Sequence, residues 1–196
     1  MNIFALNEDP VLSAQQMLDK HVVKMPTESC QMLHTNSLYF HYKSVYGTEP
    51  SLKELKEFHV FINSKLMKPA MLNHPSTIWA RTTKANYMWL YKHAIALCKE
   101  YTFRYGKIHG TEKRIGDSFT FSYEEEDLTP VSIAMADIYR LPKERHSWDF
   151  VIKSYRHYYL QGKWDFATWK KDRRPEWWPE NHYHNMIKNR KPFGGN

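Results

Sequence analysis

The chain is poor in sulfur and in glycine, with two cysteines and seven glycines among 196 residues. Cys30 and Cys98 both fall inside apolar helical patterns, so two buried thiols in a reducing compartment are predicted, not a disulfide framework. There is no Cys-x-x-Cys pair, no glycine-rich phosphate loop and no Gly-x-Ser-x-Gly elbow, which removes the thiol-redox, P-loop and hydrolase classes. His182 and His184 lack further ligands of fixed position, so no metal is expected. No apolar run approaches the roughly 18 residues of a membrane span. The basic-then-apolar order of a signal peptide is missing too, and the expectation is a cytoplasmic protein with no membrane partner. No repeat with a period of about 20–50 residues is visible.

What the chain does have is aromatic residues, 15% of the total, and a net charge of +7. That composition suits one ordered domain with a sizeable core. The charge is uneven: residues 1–139 hold 15 Lys/Arg against 15 Asp/Glu, and residues 140–196 hold 13 against 6. Five of the seven Trp lie in the same C-terminal part. Cations for phosphates and flat rings for unstacked bases are what a nucleic-acid surface needs. The bland alternative is that the rings are core and the charges keep it soluble.

Taken in order, Asn7-Glu8-Asp9-Pro10 reads as a helix start, with Asp9 as cap and Pro10 at the first helical position. That helix is expected to carry on to Pro26 and to break or kink near Met25. A second piece should end at Gly47. Ser51 and Glu54 form a capping box for a helix over 51–66, Met67 to Ser76 reads as loop, and a long helix runs from about Thr83 to Tyr105, closed by Gly106. Ser118 to Tyr123 alternates like a strand, and Glu124 to Asp127 reads as an acidic turn. Residues 131–141 are predicted as a short helix, Ser147 to Leu160 as a better one, and Asp165 to Trp169 as a turn. The tail from Pro175 reads as draped over the body. Glu100 and Arg104, one helical turn apart, read as a surface pair.

Within the first helices Leu18, Val22, Met25, Met32 and Leu33 share one face at about 100° per residue, the face a helix buries. His21, Lys24 and Glu28 lie at i, i+3 and i+7 beside it. A base, an amine and a carboxylate thereby line up at the rim of the core, unless they are merely a solvated flank.

Several segments carry a resemblance: Ala14-Gln15, Asp19 to Met25, Glu28, Asn73-His74-Pro75, Trp79-Ala80-Arg81, Asn86 to Leu90, and Glu100 to Lys107. They resemble an uncharacterised phage protein family over most of residues 1–160. More distantly, the plan resembles the phage pyrimidine-dimer DNA glycosylases, also called endonuclease V: a short N-terminal segment, a first-helix glutamate, and a His-Pro pair before a long aromatic and basic helix. The resemblance implies a compact, mainly helical, cofactor-free enzyme that grips a kinked DNA duplex. It also implies attack on the sugar carbon by the N-terminal amine, assistance from Glu28, and strand cleavage as a lyase. The sequence departs from that pattern at the nucleophile, because Asn2 stands where the family has a small residue and Met1 is expected to be retained. A terminal amine, with pKa near 8, keeps a usable neutral fraction; a lysine amine near 10.4 needs burial or neighbouring cations to act. Met1, Lys24 and an activated water are therefore all open as attacking groups.

These observations converge on a mainly α, single-domain irregular helical bundle, residues 1–160, with a basic, aromatic C-terminal extension, residues 161–196, packed on it. The expected function is base excision from damaged or modified DNA, with RNA as a further possible partner. A non-catalytic nucleic-acid-binding protein and a nucleoside-processing enzyme are the alternatives. The candidate catalytic residues are Glu28, Lys24, His21 and Met1. The candidate nucleic-acid contacts are Lys20, His74, Trp79, Arg81, Asn86, Trp89, Arg104, Lys107, Tyr155, Arg156, Lys163, Trp169, Lys170, Lys171, Arg173 and Arg174.

Overall fold

In the computed structural model, residues 2–119, 126–142 and 144–189 are described, and among them there is no strand. The reading of Ser118 to Tyr123 as a strand therefore falls mostly on residues outside the described ones, as does half of the acidic turn. Eight α-helices occur among the described residues: α1 Pro10–Gln16, α2 Asp19–Tyr46, α3 Leu52–Phe61, α4 Pro75–Thr82, α5 Lys84–Tyr105, α6 Glu112–Ile115, α7 Trp148–Gly162 and α8 His182–Asn189. α2 and α5 form the centre, with α1 and α4 packed against it. One core unites α1, α2, α5, α7 and the N-terminal segment, and a smaller cluster of Leu38, Tyr39, Leu55, Leu66 and Leu72 sits under α3.

The caps work as their residue types dictate. Asp9 accepts from the Val11 and Leu12 amides, Ser51 and Glu54 complete a capping box, and Ser147 accepts from the Phe150 amide. Each such cap satisfies amides that have no partner inside their own helix, a contribution of about 1 kcal/mol. Gly47 and Gly106 close α2 and α5 in the left-handed conformation, at φ 71° and 66°, where a glycine escapes the Cβ clash.

The first interruption comes earlier than predicted. Met17 and Leu18 are extended and separate α1 from α2, while α2 continues unbroken through Pro26. Proline removes a donor and crowds the preceding turn. The carbonyl that Pro26 cannot serve is that of Val22, four residues back, and the next one, of Val23, accepts from His109 Nε2 at 3.0 Å. Three further predictions are corrected. Residues 131–141 hold only a 3-10 turn at Asp137–Tyr139. Pro75 opens α4 with His74 as its cap, so the stretch Met67 to Ser76 is loop only up to His74. The tail from Pro175 contains α8.

The largest correction concerns Glu100 and Arg104, which are not on the surface: they are 3% and 4% exposed. Arg104 Nε donates to Glu100 Oε1 at 2.7 Å, its Nη1 to Asp19 Oδ1 at 3.0 Å and the Met17 carbonyl at 2.8 Å, and its Nη2 to the Gln15 carbonyl at 2.8 Å. Trp169 Nε1 takes the Gln16 carbonyl at 3.0 Å. The last carbonyls of α1, which a helix cannot satisfy itself, are thus satisfied by side chains from α5 and the C-terminal segment.

Candidate active site

The site is assembled where the N-terminal segment meets α2. Ile3, Ala5 and Leu6 are fully buried, so hydrophobic burial draws residues 2–6 into the core. Phe4 turns the segment with φ 54°, a strained value for a side chain of that size. Its ring stacks on His21 at 4.2 Å. The Leu6 carbonyl accepts from Arg156 Nε and Nη2 at 3.1 and 3.0 Å.

This threading brings the Asn2 backbone nitrogen to Glu28, where it donates to Oε2 at 3.2 Å. Lys24 Nζ lies 3.0 Å from Glu28 Oε1, so the amide and the ammonium address different oxygens of one carboxylate. The Glu28 side chain is 17% exposed and that of Lys24 70%. Half-buried His74, the cap of α4, stands close enough for the Glu28 carboxylate to draw its pKa upward, although burial wins and holds it below the ordinary imidazole value. Met1 lies outside the described residues.

His21 departs from the rim. It is buried, its Nδ1 is 2.6 Å from the Tyr159 hydroxyl, and burial, helped by the charges of Lys163 and Lys24, pushes its pKa down to about 3. A neutral imidazole held by a tyrosine is a structural partner of Phe4 and no proton acceptor for a group beside Glu28. Of the predicted triad, the structure brings Lys24 and Glu28 together and leaves His21 behind them.

Beside Phe4 and His21 lies a group of rings and cations, with Tyr158 6.0 Å from the Phe4 ring and Phe166 6.4 Å from that of His21. Lys20 Nζ sits 4.5 Å over the Phe166 ring, and Lys163 Nζ lies 4.7 Å over Tyr158 and 5.8 Å over Phe166. Tyr139 and Tyr158 pack at 4.8 Å. Gly162 permits this packing, since a Cβ there would meet both rings at 2.7–2.9 Å. The sequence marks Tyr158 among the rings of the basic C-terminal part, and Lys20 and Lys163 as contacts, but not Phe166 or Tyr139.

Other candidates prove to be internal. Asn86 is fully buried, donating to the Trp79 carbonyl at 3.0 Å and Thr129 Oγ1 at 2.8 Å and accepting from the Thr129 amide at 2.9 Å. Trp79, 5% exposed, donates to Thr129, and Trp89, 4% exposed, to the Glu8 carbonyl. Tyr155 is fully buried as well. Burial and saturated donors take these four and Arg104 out of reach of a phosphate. Arg81 donates to the Leu72 carbonyl at 2.6 Å and lies 4.7 Å over Tyr39; Arg156 lies 5.2 Å over Trp177. Arg173 is tied to Glu100 at 3.1 Å, and the half-buried Trp169 to α1. Lys107, Lys170, Lys171 and Arg174 are exposed. Their burial state was not legible beforehand, because an aromatic or basic residue at helical spacing reads alike on either side of a helix.

A comparison with protein families matches residues 1–112 to the pyrimidine dimer DNA glycosylase family model. The chain belongs to that family. No curated protein and no solved structure matches it. The match covers the N-terminal segment, α1 to α5 and therefore Asn2, Lys24, Glu28 and His74, while α7 and its neighbours lie beyond it. Membership makes DNA the substrate class. Among the described residues no helix is long and apolar enough to cross a membrane, and no group of three or more His, Cys, Asp or Glu is placed to hold a metal ion.

Proposed function

We propose that this protein excises bases from damaged DNA by attack of an amine on the sugar carbon, with Glu28 stabilising the charge that develops there. The supporting observation is the 3.2 Å contact between the Asn2 nitrogen and Glu28. Three covalent bonds separate that nitrogen from the α-amine of the residue before it, so chain connectivity keeps the amine within about 4 Å of it. An amine so held is an intramolecular nucleophile with little orientation left to lose.

In the proposed reaction the amine lone pair forms a bond to the anomeric carbon while the N-glycosidic bond breaks. The base leaves with the bonding electrons and takes up a proton. Opening of the sugar ring gives a protonated imine, and loss of the adjacent C2′ proton then expels the 3′ phosphate, the lyase step. Glu28 lies where it can stabilise the oxocarbenium-like charge and then accept protons. Lys20 and Lys163 would hold phosphates, and Phe166, Tyr158 and Tyr139 would stack against a base that has left the duplex. Lys24, ion-paired with Glu28, is the second candidate nucleophile, and water the third.

Borohydride trapping on UV-irradiated duplex DNA, followed by mass spectrometry of the adduct, tests this. An adduct on the N-terminal residue that persists in Lys24→Ala names the terminal amine, and one lost in Lys24→Ala names Lys24. Base release without an adduct names water. In every case Glu28→Gln should keep binding and lose at least two orders of magnitude in turnover. Tight binding with neither released base nor adduct would replace the enzyme with a DNA-binding protein.

A further inference from the structure

The side chain of Asn2 is held as firmly as its backbone. Its Nδ2 donates to the Ala134 carbonyl, and its Oδ1 accepts from the Ile3 amide at 2.8 Å and the Tyr155 hydroxyl at 2.9 Å. The Tyr155 hydroxyl also accepts from the Ala134 amide at 3.1 Å and lies 2.8 Å from the Ser132 carbonyl. Asn2 is 8% exposed and Tyr155 fully buried. The groups that receive Asn2 come from residues 132–155, all beyond the stretch that matches the family model.

We propose that Ser132, Ala134 and Tyr155 form a socket for the Asn2 carboxamide, and that Tyr155 is a positioning residue that fixes the Asn2 backbone nitrogen against Glu28. The Asn2 side chain is an anchor read by both its donor and its acceptor ends. A residue without that pair of groups leaves the Ala134 carbonyl without this donor, turns the Tyr155 hydroxyl to Ser132 alone, and releases the segment at Asn2. The inference rests on the glycosylase reading for its consequence and on the hydrogen bonds for its existence.

The full-length protein is compared with Asn2→Ala, Tyr155→Phe and the double variant. Tyr87→Phe serves as a control, since it also removes a buried hydroxyl, one bonded to Ser37 at 2.9 Å. On a duplex carrying one pyrimidine dimer, each socket variant should lower the single-turnover rate at least tenfold with KM little changed, because a misplacement of about 1 Å at a reacting group can cost 100-fold. The double variant should be no slower than the worse single one, and Tyr87→Phe should match the wild type. In parallel, an exopeptidase that removes N-terminal residues should digest both socket variants at least tenfold faster than the wild type or Tyr87→Phe. Wild-type rates and digestion in Tyr155→Phe would overturn the socket, as would equal slowing in Tyr87→Phe, or losses that multiply in the double variant. If the wild type itself breaks no glycosidic bond and forms no adduct, the glycosylase reading fails alone. The digestion arm then decides whether the socket exists.

Discussion

Arg104 and Asp19 stand 85 positions apart in the chain and 3.0 Å apart in the fold. Asp19 Oδ1 also accepts from the Lys170 amide at 3.1 Å, and Glu100 Oε1 receives Arg173 as well as Arg104. Two carboxylates and one buried guanidinium thus join the start of α2, the end of α5 and the C-terminal segment. Removing one partner of a buried pair strands the other charge, a loss of about 3–5 kcal/mol. Arg104→Ala is therefore expected to lower the urea unfolding midpoint severely. Arg104→Lys should recover little of the loss, since an ammonium cannot span the same fork of acceptors. A midpoint near that of the wild type would mean the network carries no stability.

Salt dependence should separate the basic surfaces. Each phosphate contact contributes about 0.9 to the slope of log affinity against log salt on duplex DNA. Lys20→Ala with Lys163→Ala is expected to make the slope shallower by about two. Lys170, Lys171 and Arg174 can be changed together to test the C-terminal surface, with Arg173 kept because it holds Glu100. A fluorescence-anisotropy titration at several salt concentrations reads both, and an unchanged slope shows that the face in question points away from DNA.

Acid should destabilise the protein through two imidazoles. His21 and His93 both have pKa values pushed from 6.5 to about 3, in each case chiefly by burial. Between those values the unfolded chain holds the protons and the folded chain does not, so stability rises with pH in that window. The contribution is complete above about 6.5 and is lost as pH falls toward 3. Both His93 ring nitrogens are buried without a hydrogen-bond partner, and the ring stacks on Trp89 at 4.9 Å. His93→Phe is expected to raise stability by about 1–3 kcal/mol at neutral pH, the penalty of an unsatisfied buried polar group, and by more at pH 5. Chemical denaturation at the two pH values checks it.

The long apolar periodicities and the caps made α5, α7 and the start of α3 readable from the sequence to within a few residues, because those signals are local, whereas the helix expected to run on to residue 66 stops at Phe61. The Lys24–Glu28 pair was legible for the same reason, as a helical spacing. Burial was not. Glu100 and Arg104 look like any surface pair until Asp19 arrives from elsewhere, and Asn86 looks like a surface amide until Thr129 closes on it. His21 shares its line on α2 with Lys24 and Glu28, yet Phe4 and Tyr159 enclose it and leave the other two at the rim. What decided each case was a partner more than 15 positions away, to which a local pattern is blind.

The threading of Asn2 to Leu6 through the core also sets an order of events. These residues precede their partners by most of the chain: Leu6 waits for Arg156, 150 positions later, and Asn2 for Tyr155, 153 positions later. Contacts of such long separation form slowly, because closing the chain costs entropy before the contact repays it. Residues 2–6, and with them the Asn2–Glu28 contact, are therefore among the last to be seated, because the surface that receives them is built from α7.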